Sequence, residues 1–178
     1  VAAGHEAVAM VRGPQGNVDA EERYRGYHQA LEEAGLEAHP SLEVHGDFTE
    51  SSGYRAAAEL LRRSPRPTAV FVANDSMAVG LLSALRSLGT EVPRQMAVVG
   101  FDDITIAQYI SPPLTTVHVD AYRMGTRAVQ LLLAALAGSA TEAPTHETLP
   151  APLVIRESCG SGRSRPDPRR RNDRLRAE

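Results

Sequence analysis

The stretch TAVFVANDSMAVGLLSALRSLG, residues 68–89, followed closely by MAVVGFDD, residues 96–103, decides the fold. Each half holds a short apolar run that breaks at its C-terminal end into polar groups, Asn74-Asp75 in the first and Asp102-Asp103 in the second. After Asn74-Asp75 the apolar residues Met77, Val79, Leu81, Leu82, Leu85 and Leu88 recur at helical spacing until Gly89 stops them. A strand, a helix and a strand this closely connected make a parallel pair with a right-handed crossover. Open parallel sheets bind ligands at the C-terminal ends of their strands, where both polar pairs lie.

The rest of the chain extends the alternation. Ala7–Val11 reads as a strand stopped by Gly13-Pro14, and a helix follows with Asp19 as N-cap, Glu22 completing a capping box and Gly35 at its end. Leu42–His45 is a weaker strand. Thr49 or Ser51 opens a helix with the face Tyr54, Ala57, Ala58, Leu61, ended by Ser64-Pro65. Ala69–Ala73 is apolar throughout, which predicts a strand covered on both faces. Leu114–Val117 is extended, Asp120 caps a helix ended by Gly138, and extended pieces near Glu147–Leu149 and Leu153–Arg156 close the folded part. The order predicts a doubly wound α/β sheet. Residues 120–156 hold too few strands for a sheet of their own, so they should return onto one whose other strands lie upstream.

Composition excludes several classes. At 178 residues, 42% hydrophobic and 23% charged, the chain can bury one substantial core. The single Cys159 rules out a disulfide framework, and no apolar run nears the roughly 20 residues of a membrane span. Net charge is −3. Residues 163–178 hold seven arginines against three acids, a charge of +4 that leaves −7 for the rest. A body that acidic grips a phosphate backbone poorly. The Arg-rich tail, residues 159–178, reads as disordered. The six histidines show no metal-ligand spacing, and no nucleophile elbow, phosphate loop or dinucleotide fingerprint is present. Neither a metal nor a cofactor is expected.

The candidate site residues each carry two readings. Asn74-Asp75 either only caps its helix or also turns an amide or carboxylate to the crevice. Of Asp102 and Asp103, one can form the turn while the other accepts hydrogen bonds from a ligand; acid/base chemistry by either would make the protein an α/β enzyme. Arg23 is either a solvated helix arginine or a bidentate donor facing the cleft. Phe48, at a strand-to-helix loop, is either core or a stacking wall.

The blocks GHEAVAMVRGP, ERYRGYHQALEEAGL, GDFTESSGYRAAAELL, PTAVFVANDSMAVGLLSALRSLGTEVPRQMAVVGFDD, SPPLTTVHVDAYRMGTRAVQLLL and LPAPLVIRES, in that order over residues 4–158, resemble the effector-binding core of the LacI/GalR family of bacterial transcription regulators. The resemblance implies a cytoplasmic, non-enzymatic, homodimeric regulator with two periplasmic-binding-protein-like subdomains. Around their cleft it senses a sugar-like or nucleobase-like effector. Residues 1–117 correspond to the second subdomain and 118–158 to the returning part of the first. Beginning at Val1 rather than Met, the chain reads as a fragment, a processed chain or a trimmed form, and the resemblance implies that the operator-reading helix-turn-helix lies outside it. A periplasmic sugar-binding protein of the same fold is the alternative. Carried over by motif, the effector contacts fall on Arg23, Phe48, Asn74 and Asp102, with Asp19 at a cleft loop. Val119 and Ala121 are small and apolar where sugar-binding relatives are polar or aromatic, which argues against a standard disaccharide-like effector. The dimer contacts fall on Met77, Leu81, Ile106 and Tyr109, for which core packing is the competing reading.

Overall fold

The computed structural model describes residues 4–137 and 146–161. Strands β1 (Val8–Arg12), β2 (Glu43–His45), β3 (Ala69–Val72), β4 (Ala97–Asp102), β5 (Thr115–His118) and β6 (Leu153–Val154) form one sheet in the order β2-β1-β3-β4-β5-β6. The first five are parallel, and β6 runs antiparallel beside β5. The helices are α1 (Val18–Glu33), α2 (Glu50–Leu60), α3 (Asp75–Ser87) and α4 (Ala121–Leu136). The expected doubly wound sheet is therefore present.

Each helix starts on a side chain that satisfies a free backbone amide. Asn17 accepts from Ala20 N at 2.9 Å, Thr49 from Ser52 N at 3.2 Å, Asn74 from Met77 N at 3.0 Å and Asp120 from Arg123 N at 2.8 Å. The first of these corrects the sequence reading, because the cap is Asn17 and Asp19 lies inside the first turn. The Gly13-Pro14 turn ends earlier than the capping-box pattern implied, and Asn caps as well as Asp does.

The core lies mainly between one face of the sheet and the pair α2, α3, and it is sealed by close backbone approach. A Cβ on Gly53 would stand 1.9 Å from the Met77 carbonyl oxygen, and one on Gly80 1.9 Å from that of Glu50, so only glycine fits at either crossing. Met77, Leu81 and Leu85 of α3 are fully buried in this layer with Val70, Val72 and Val98 of the sheet.

The opposite face carries α1 on one side and is otherwise open. Between α1 and the chain's return runs an apolar trough of about 600 Å³, whose lining includes Val8, Phe71, Val99, Val117, Leu153 and Ile155. This corrects the expectation that β3 is covered on both faces: Val70 and Val72 are buried, while Ala69 and Phe71 are only partly so. Residues of α4 are nowhere buried, and Met124, Val129, Leu132, Leu133 and Leu136 are each more than half exposed.

A second correction concerns the chain's return. Far from joining a different sheet, β6 is the sixth strand of this one. Ser158, fully buried, donates to Val98 O at 2.6 Å and accepts from Thr115 N at 2.8 Å, so the folded part runs past residue 158. No strand forms at Glu147–Leu149. The expected stop at Gly138 and the Arg-rich tail from residue 162 onward lie outside the described residues.

Candidate functional site

Four loops meet at the C-terminal ends of β1 to β4. Arg23, in the second turn of α1, donates to Ala73 O at 2.8 Å, where β3 ends. Its guanidinium lies 3.8 Å from the Asp102 carboxylate, 4.1 Å from the centroid of Phe101 and 5.7 Å from that of Phe48. A guanidinium so close to an aromatic face gains from the ring quadrupole, and its planar fork stays oriented. Asn74 caps α3 with its carbonyl and donates to Phe48 O at 3.1 Å, fixing the loop that carries the aromatic ring. Phe48 itself adopts φ 68°, a conformation unfavourable for a residue of its size.

Arg23, Phe48, Asn74 and Asp102 thus come together as one wall. Both ends of the Asn74 amide already hold the protein, yet each retains one hydrogen-bonding position for a ligand. Asp19 is solvent-exposed and joins none of these contacts.

The adjacent aspartates divide. Asp102, at φ 116°, turns to Arg23. Asp103 accepts from Arg156 at 2.7 Å and pairs with His118 Nδ1 at 3.0 Å, on the side of the chain's return. Burial pushes the Asp102 carboxyl up from its ordinary pKa; Arg23 opposes this and nearby Asp75 adds to it. The facing Arg23 and Asp102 offset each other, so the wall offers donors, acceptors and an aromatic surface without surplus positive charge for an anion. Among the described residues no group of His, Cys, Asp and Glu could hold a metal ion.

Two contributors escaped the sequence reading: Phe101 underlies Arg23, and Arg156 reaches the Asp102 loop from a segment 53 residues away. Asp75, named there as a carboxylate that could face the crevice, instead lies fully buried behind that loop. Adjacency to Asp102 was the available signal for Phe101. Nothing local marks Arg156.

The expected dimer residues are corrected in part. Met77 and Leu81 are fully buried against the sheet and cannot meet a second copy. The outward side of α3 presents Val79 and Ser83, which line a groove with Tyr54 of α2. Ile106 and Tyr109 are exposed, at 46% and 72%.

Among known families, that of periplasmic binding protein-like domains matches residues 1–159. The HTH-type transcriptional regulator CelR of Thermobifida fusca is 43% identical over 155 residues, 87% of this chain and 45% of the relative. The solved complex of the regulator CelR with cellobiose superposes with a TM-score of 0.82 at 42% identity, over 88% of this chain and 48% of that one. A dimeric Lac repressor with a C-terminal deletion also gives 0.82, at 34% identity, over 88% and 56%. The chain spans about half the length of the curated relatives it matches.

Proposed function

Because the chain belongs to the periplasmic binding protein-like family, with LacI-type transcriptional regulators as its relatives, we propose that it is the sensing part of such a regulator, non-enzymatic and cytoplasmic, binding a neutral, hydroxyl-rich small molecule. One observation carries this reading: Arg23, Asp102, Asn74 and the Phe48 ring converge at the C-terminal ends of the strands. An arginine and a carboxylate side by side match hydroxyl groups, which both donate and accept, and the aromatic ring matches the apolar face of a pyranose. A sugar is thus favoured over an anion. The cellobiose complex of a relative puts a disaccharide first among probes, against the expectation drawn from Val119 and Ala121.

Effector binding shifts the regulator between states only through unequal affinity for them. Operator reading belongs to residues other than these, since the body is acidic. Pairing of two copies uses the outer side of α2 and α3 with Ile106 and Tyr109, and sedimentation of Tyr109→Asp should show a monomer where the parent is a dimer. If Tyr109→Asp remains dimeric, that surface is wrong.

Calorimetric titration with cellobiose, ribose and a purine base tests the site. A sugar should bind, and Arg23→Ala and Asp102→Ala should each weaken it at least tenfold, about 1.4 kcal/mol. Variants that bind as tightly as the parent would overturn the assignment.

A further inference from the structure

The structure assigns Asp75 as a positioning residue: through its buried carboxylate it holds the Phe101–Ile104 loop so that Asp102 faces the effector. This rests on the sensing function proposed above, and it names a residue that acts only through another.

Asp102 cannot hold its place unaided. At φ 116° it occupies backbone space that side chains rarely adopt, and Asp103 follows at φ 58°. Two successive left-handed residues without glycine persist only where the surroundings over-determine them. The surroundings here converge on one group. Asp75, first residue of α3, is completely buried. Its Oδ2 accepts from Ile104 N at 3.1 Å and its Oδ1 from the Thr116 hydroxyl at 2.7 Å, and the backbone N–H groups of Phe101 and Asp103 lie near enough to favour its charged form. The carboxylate therefore holds the loop at Ile104, two residues past Asp102, while Thr116 anchors it to the middle of β5. Gly100 leaves room for this, since a Cβ there would stand 2.1 Å from Asp75 Oδ1. The donors aimed at Asp75 suit its ionised form, and the N-terminus of α3 favours that charge, although burial pushes its pKa up.

The division of the two aspartates follows. With the Ile104 amide tied inward, the side chain of 102 is left to turn toward Arg23 and that of 103 toward Arg156.

Asp75→Asn keeps the shape and replaces one acceptor by a donor facing backbone N–H groups. In the variant, amide hydrogen exchange at Ile104 should accelerate at least tenfold while the centres of α3 and β4 stay protected. Cellobiose affinity should fall at least tenfold, and in an Asp102→Ala background the same change should cost less than a further twofold. Unchanged exchange at Ile104, a rise spread evenly over the core, or losses that simply multiply would each overturn the assignment. Should Asp75→Asn fail to fold, Thr116→Val removes a single donor and should give the same local pattern at smaller amplitude; its absence there is equally decisive against it. If the parent binds no sugar, the effector reading falls, while the exchange pattern still decides whether Asp75 holds the loop.

Discussion

The two faces of the sheet are built from the same kinds of residue and buried to different depths. Against α2 and α3, Val70, Val72, Val98, Met77, Leu81 and Leu85 are sealed from water. Across the same strands, Phe71, Val99 and Val117 line the trough beside α1, and the apolar side of α4 stands exposed. An apolar strand residue reports that burial is possible; a helix on that face is what realises it. Hydrophobic stabilisation follows area removed from water, roughly 25 cal/mol per Å², so one face carries most of the stability.

The contrast can be broken by mutation. Leu81→Ala should cost about 3 kcal/mol in chemical denaturation, because it leaves a cavity in the sealed layer. Gly53→Ala should cost about 2 kcal/mol by forcing α2 off the Met77 backbone. Phe71→Ala, of larger side-chain volume, should cost only about 1 kcal/mol, since its ring already borders open space. A loss at Phe71 equal to that at Leu81 would show the two faces to be energetically alike. Leu133→Gln on α4 should fall within about 0.5 kcal/mol of the parent.

The smallest effects are in pH dependence, and they sharpen the contrast between enclosed and open carboxylates. Asp75 and Asp102 have pKa values raised by burial. Their contribution to stability is complete below the ordinary carboxylate pKa and is lost as pH rises through their folded values. Asp47 behaves oppositely. Hydrogen bonds from Thr49 and Ser52 hold it down to about 2, so its contribution is present above its ordinary pKa and fades as pH falls toward 2. Carboxyl-carbon NMR titration should place Asp75 and Asp102 above, and Asp47 below, the usual aspartate value. A reversed order would contradict the burial described here.

Much of the layout was legible because it is local. Apolar runs, caps such as Asn74 and Asp120, and the glycines that close α1 and α3 mark the βα units directly. Of the site, Arg23, Phe48, Asn74 and Asp102 could be named because strand ends in a parallel sheet share one edge. What escaped depends on contacts across the chain or on rotation about a helix axis. Thr116, on β5, bonds Asp75 behind the 101–104 loop, and Arg156, just past β6, reaches Asp103 in it. Met77 and Leu81 belong to the stripe that faces the sheet, whereas Val79 and Ser83, about 160 to 200 degrees round from Leu81, face outward. That β6 would complete this sheet was equally hidden, since two residues of strand carry almost no periodicity.

The glycine crossings of α2 and α3 also govern how this part of the molecule can move. Helices that meet through side chains can shift past one another as rotamers change, and shear motions use that freedom. Gly53 and Gly80 remove it, because each sets its helix directly on the other's main chain. A push applied at Phe48, just before α2, or at Asn74, at the head of α3, is therefore shared by both helices at once. Rotamer changes at this crossing leave the two helices locked to each other's main chains.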